Sequence, residues 1–192
     1  MAGPDPSSVL SPLKGQAVEE KNLLYSKEMI DRRVKALAGS ISRDFEGREV
    51  VLIGVLNGAF IFLADLVRYL KIPHTIDFVR LASYGSGSVS SGSITVTKDV
   101  ERNIRGKDVV IVEDIIDTGV SIAFLQERLE KRCPSSIKVC ALIDKKQRRE
   151  RGVNADYVGF TLGEGFIVGY GLDFDEQFRC LPDIYVIKEG KL

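Results

Sequence analysis

The sequence predicts an α/β domain with an open, mainly parallel sheet flanked by helices, and three observations carry that prediction. Short continuous apolar runs alternate with helical patterns along most of the chain, as crossover units require. The runs VVLIGVL (50–56) and VVIV (109–112) are too short for helices and apolar at every position, which fits strands covered on both faces. Pro73 and Pro134 each follow a helical pattern and precede a strand pattern, where a residue that cannot continue a helix belongs.

At 192 residues the chain suits one domain. Residues 1–16, rich in Pro, Ser and Gly, lack apolar content to pack and are expected to form a disordered tail. Residues 17–192 form the single domain. Within 18–45, Leu23, Leu24, Ile30, Val34, Leu37 and Ile41 recur at three- and four-residue steps, which predicts one or two amphipathic helices. A strand over 50–56 follows, ended by Asn57-Gly58, and then a helix over 59–70. Strands are expected at 75–81, 94–97 and 109–115, then a helix over 118–131. Further strands are expected at 137–143, 157–162, 166–171 and 184–188.

Lys plus Arg and Asp plus Glu each total 27, so no global field favours nucleic acid or an anionic membrane. No run approaches the roughly 20 apolar residues that span a bilayer. Cys133, Cys140 and Cys180 show no C-x-x-C spacing and read as free thiols in a reducing compartment. With no targeting pattern at the N-terminus, the expectation is a cytoplasmic protein with no nucleic-acid or membrane partner.

In an open parallel sheet, ligands bind beyond the carboxyl ends of the strands. The segment VVIVEDIIDTGVS (109–121) puts Glu113, Asp114 and Asp117 at such an end, followed by Thr118, Gly119, Val120 and Ser121 at a helix start. Unpaired N–H groups, a glycine and two hydroxyls suit a phosphate. Carboxylates would repel that phosphate unless a divalent cation or ribose hydroxyls stood between them. Spacing alone leaves a second reading open, in which Asp117 caps the helix and Glu113-Asp114 are merely solvated.

This segment closely resembles the phosphoribosyl pyrophosphate signature of the type I phosphoribosyltransferases. Other stretches are similar to the hypoxanthine-guanine branch of that family: GVLNGAFIFLADLVR (54–68), VRLASYGSGS (79–88), LIDK (142–145) and DYVGFTLGEGFIVGYGLDFDEQFRCLPDIYVIK (156–188). The resemblance implies a type I phosphoribosyltransferase-like sheet with a small hood subdomain, formed from the N-terminal helix and residues 163–192. It also implies purine salvage: magnesium-dependent transfer of phosphoribosyl from phosphoribosyl pyrophosphate to hypoxanthine or guanine. A homodimer or homotetramer is the expected assembly.

Residue by residue, the resemblance assigns Glu113 and Asp114 to the ribose hydroxyls, directly or through magnesium. Asp117 is the expected general base near the purine, and Thr118, Gly119, Val120 and Ser121 cradle the 5′-phosphate. Leu56, Asn57 and Gly58 meet the pyrophosphate on a loop where the family carries a non-proline cis peptide. Asn57 and Val120 stand where animal members have Lys, which predicts altered affinity with activity kept. Phe166 stacks on the base and Ile167 reads its edge through the main chain, although burial tendency alone would place both in the core. Asp173 reaches the magnesium, Arg179 the pyrophosphate, and Lys145 donates to the 6-oxo group, favouring oxopurines over adenine. Ser83 and Tyr84 open a mobile lid over residues 83–97 that would shield the reacting centre from water.

His74 is the only histidine, so no His-based catalytic pair has a second candidate, and it is assigned no role. Lys146, Arg148, Arg149 and Arg151 of the run KKQRRERG (145–152) read as a solvated loop. The rivals are an RNA-binding regulator on the same fold, and a transferase preferring xanthine or a pyrimidine. Balanced charge and the FIVGYGLD segment (166–173) argue against the first.

Overall fold

The computed structural model describes residues 21–83 and 94–187. The expected tail over 1–16, Tyr84 and most of the expected lid lie outside the described residues, as does Lys188 at the end of the last predicted strand.

Six strands form the large sheet: β2 (Val50–Leu56), β3 (His74–Ser83), β4 (Ile94–Lys98), β5 (Asp108–Ile116), β6 (Ser136–Lys145) and β7 (Tyr157–Leu162). Their order is β4-β3-β2-β5-β6-β7. All neighbours run parallel except β4, which lies antiparallel to β3 at the edge. The helices are α1 (Lys27–Asp44), α2 (Phe60–Tyr69) and α3 (Val120–Glu130).

Alternation along each central strand divides the core into two layers. Val50, Leu52, Val110 and Val112 face α1 and α2, where Val34, Ile41, Phe62 and Leu66 are buried. Val51, Ile53, Val109 and Ile111 face Ile122, Leu125 and Leu129 of α3. Helices on both faces are why β2 and β5 carry no polar stripe before their carboxyl ends.

A second, three-stranded antiparallel sheet has the order β1-β9-β8, with β1 (Lys21–Tyr25), β8 (Phe166–Val168) and β9 (Ile184–Ile187). Here the helical periodicity expected for Leu23 and Leu24 gives way: both lie in β1, and Leu23 pairs with Tyr185. Ser26 ends that strand and starts α1, its Oγ accepting from the Met29 N–H at 3.4 Å, as an N-cap does. Tyr25 stacks on Phe160 of β7 at 3.9 Å between ring centroids, tying the small sheet to the large one. Helix α1 itself packs beside α2 on the large sheet, which corrects the expected hood of N-terminal helix and residues 163–192: β1, not that helix, pairs with the C-terminal strands. Among the described residues no helix is long and apolar enough to cross a membrane.

Candidate active site

Parallel register brings the carboxyl ends of β2, β5 and β6 to one edge, at Leu56, Ile116 and Lys145. Strand β5 stays apolar through Val112 and then buries Glu113 and Asp114. Burial, with the Asp114 carboxylate beside it, pushes the Glu113 pKa well above the ordinary glutamate range, and burial raises that of Asp114 as well. Two acids deprived of water favour protons or a cation.

Beyond β5 the chain turns through Gly119, whose φ of 80° is left-handed, into α3 with no side-chain cap. Thr118 Oγ1 accepts from the Val120 N–H at 3.4 Å. A cavity of about 250 Å³ opens at this helix start, lined by Glu113, Asp117, Thr118, Gly119 and Ser121. An uncapped helix N-terminus at a cavity is suited to an anion.

Asp117 also lines a larger cleft of about 830 Å³, shared with Asp114, Lys145, Phe166, Ile167 and Asp173. The carboxylate of Asp117 is divided: Oδ2 lies 3.2 Å from Arg148 Nη1, while Oδ1 is buried with no hydrogen-bond partner among the described residues. Lys145 Nζ donates to the Gly165 carbonyl at 2.6 Å. Phe166 is 37% exposed and meets Phe174 edge-on at 5.4 Å. The partly exposed ring lines the cleft, whereas Ile167 is buried.

Arg179 donates through Nη1 to the Gly171 carbonyl at 2.8 Å and lies 2.9 Å from Asp173 Oδ1 through Nη2. The Leu56–Asn57 peptide is cis, and Gly58 lies directly against Asp114. Ser83 ends β3, paired with Ile94 of β4. Of the sequence-predicted residues, then, Glu113, Asp114, Asp117, Thr118, Gly119, Ser121, Lys145, Phe166, Ile167 and Asp173 line two cavities that share Asp117. Asp173 links Arg179 to the cleft, Asp114 links Gly58 to it, and Val120 begins α3.

A further expectation is corrected. Arg149 does not belong to a solvated loop: its side chain is only 15% exposed and is paired with the buried Asp144. Among the lining residues not anticipated are Gln147 and Arg148, although both follow Lys145 in one short loop.

No group of three or more His, Cys, Asp or Glu that could by itself hold a metal ion occurs among the described residues. The buried Glu113-Asp114 pair still fits magnesium, which characteristically takes one or two carboxylates and completes its shell with substrate oxygens and water.

A family model described as a phosphoribosyl transferase domain matches residues 22–175. The chain is 44% identical to the hypoxanthine-guanine phosphoribosyltransferase of Aquifex aeolicus, over 87% of this chain and 94% of that one. It is 39% identical to the enzyme of the same name from Bacillus subtilis, over 88% and 93%. Among solved structures, a hypoxanthine-guanine phosphoribosyltransferase from Bacillus anthracis is 45% identical with a TM-score of 0.83, covering 88% of this chain and 99% of that one. A ternary substrates complex of a hypoxanthine phosphoribosyltransferase variant from Trypanosoma cruzi is 38% identical with a TM-score of 0.82, covering 88% and 96%.

Proposed function

The chain belongs to the phosphoribosyltransferase family, in its hypoxanthine-guanine branch, and from that premise we propose how its residues carry out purine salvage. The reaction is transfer of the 5-phosphoribosyl group from phosphoribosyl pyrophosphate to hypoxanthine or guanine, giving IMP or GMP and pyrophosphate. A purine nitrogen forms the new bond to ribose C1 as the bond to pyrophosphate breaks.

One observation carries the assignment of roles: the anion-suited start of α3 and the cleft bearing Lys145 and Phe166 meet at Asp117. A ribose between them would place its 5′-phosphate on Thr118, Gly119, Val120 and Ser121 and its C1 near the cleft. Asp117 takes the purine proton on Oδ1, the buried oxygen with no hydrogen-bond partner among the described residues. Positioned acids and bases contribute roughly 100- to 10,000-fold. Phe166 stacks on the ring, the Ile167 main chain reads its edge, and Lys145 turns from the Gly165 carbonyl to the 6-oxo group. Donor against acceptor makes an oxopurine the better fit, since adenine presents a second donor there.

Leu56, Asn57, Gly58 and Arg179 hold the pyrophosphate. Glu113 and Asp114 would hold the ribose hydroxyls, directly or through magnesium, and Asp173 would be a further carboxylate available to that ion. That ion, when bound, supplies charge neutralisation at the leaving group. The small sheet β1-β9-β8, with the rest of residues 163–187, serves as the hood over the base. A homodimer or homotetramer in the cytoplasm completes the reading.

The test is direct. Purified protein is incubated with phosphoribosyl pyrophosphate, magnesium and each free base in turn, and nucleotide formation is followed. Nucleotide from hypoxanthine and guanine, little from adenine, and loss on chelation of magnesium are expected. Nucleotide from none of the bases would overturn the proposal.

A further inference from the structure

We propose that Arg149 is a positioning residue for the loop Asp117–Gly119, and through that loop for the 5′-phosphate of the phosphoribosyl substrate. The inference rests on the phosphoribosyl-transfer reading of this site.

The loop after β6 folds back onto the start of α3 and touches three consecutive residues there. Arg148 pairs with Asp117. The N–H groups of Glu150 and Arg151 both donate to the Thr118 carbonyl, at 2.9 and 3.2 Å. Arg149 takes the third place: a β-carbon built on Gly119 would stand 3.0 Å from its Cδ and 3.1 Å from its Nη1.

Arg149 is held there by its other guanidinium edge, where Nη2 donates to Asp144 Oδ1. Asp144 is only 3% exposed, at the end of β6, so the anchor is set by the sheet and does not drift with the loop. Nη1 is itself buried and has no hydrogen-bond partner among the described residues. Buried donors are rarely left unpaired, and this one faces the backbone of the turn that begins α3.

A phosphate cradle made of main-chain N–H groups works only if those groups already point inward when the anion arrives. Gly119 holds a left-handed φ of 80°, a conformation open to many alternatives in a glycine. Thr118 is fixed by its carbonyl and Gly119 by the wall that Arg149 forms. Because Asp144 balances most of the Arg149 charge, the effect is positional more than a direct attraction to phosphate.

The test compares a nucleoside 5′-monophosphate with its nucleoside, GMP against guanosine, by titration calorimetry on the full-length protein. Steady-state KM for phosphoribosyl pyrophosphate and for guanine are measured in parallel. Arg149→Met should weaken GMP binding and raise KM for phosphoribosyl pyrophosphate by about tenfold, less than the ~100-fold a 1 Å misplacement of reacting groups can cost. Guanosine affinity and KM for guanine should change less than about twofold, and Arg149→Lys should fall between.

If Arg149→Met alone fails to fold because Asp144 is left buried and unpaired, the double variant Asp144→Asn/Arg149→Met removes both charges and should show the same selective loss. Equal loss for GMP and guanosine, or an unchanged KM for phosphoribosyl pyrophosphate in a folded variant, would overturn the inference. Should the parent protein neither bind GMP nor form nucleotide, the phosphoribosyl reading itself would fall, and this inference with it.

Discussion

The carboxylate of Asp114 occupies the space that a β-carbon on Gly58 would need, with Oδ2 only 1.7 Å from where that carbon would be built. On its other side, the Gly58 carbonyl lies against Gly171, where a β-carbon would come within 2.2 Å of that oxygen. The loop after β2, the end of β5 and the turn after β8 thus meet at a junction with no room for a methyl group. Gly58→Ala must shift either Asp114 or the loop bearing Asn57. A displacement near 1 Å should lower nucleotide formation by about 100-fold, measured as kcat/KM for phosphoribosyl pyrophosphate. A variant within twofold of the parent would show that the contact is dispensable.

Glu113 gives a prediction about pH. Its burial beside Asp114 raises its pKa, so the folded protein keeps a proton that the unfolded chain has released. Stability of the ligand-free protein therefore falls as pH rises from the unfolded glutamate value of about 4.3 through the raised folded value. Glu113→Gln removes the penalty. In magnesium-free buffer the variant should melt higher than the parent at about pH 8, and the gap should close below about pH 4, where Glu113 is protonated in both states. Activity should drop at the same time. Calorimetry across pH checks this, and a gap that did not vary with pH would refute the cause given.

The large sheet is legible in the sequence because its signals are local. β2 is found to the residue, since Val50–Leu56 is apolar throughout and Asn57-Gly58 closes it; β7 is found as well, at Tyr157–Leu162. β1 is not legible, because Leu23 becomes a strand residue only by pairing with Tyr185, and that partner lies far along the chain. Arg149 is hidden for a similar reason. A run of basic residues reads as solvated, and only the fold brings Asp144 and Gly119 around one of them. Phe166 was ambiguous between core and site, and its position at the start of a three-residue strand beside the cleft leaves it exposed. At Asp117 the spacing favours capping and ligand binding alike, so the resemblance, not the pattern, supplies its expected role.

Asp117→Asn tests that role. The amide keeps the size of the side chain and can still approach Arg148, but it cannot accept the purine proton. Turnover should fall by about 100-fold or more, with binding of phosphoribosyl pyrophosphate largely kept. Single-turnover kinetics separate the chemical step from product release. Turnover close to the parent would remove Asp117 as the base.

Lys145→Ala separates base recognition from sugar-phosphate binding. Its ammonium donates to the Gly165 carbonyl, on the wall of the cleft that Phe166 also lines. Taking it away removes a charged donor from the 6-oxo group, an interaction of about 1.5–3 kcal/mol. The kcat/KM for hypoxanthine and guanine should therefore drop roughly 10- to 100-fold, by the conversion of about 1.4 kcal/mol per tenfold. Because Lys145 lines the large cleft and not the smaller cavity at α3, KM for phosphoribosyl pyrophosphate should stay within about twofold. Discrimination against adenine should weaken too, since the donor that opposes its amino group is gone. Equal losses toward base and phosphoribosyl pyrophosphate would mean that Lys145 supports the whole site and does not read the purine.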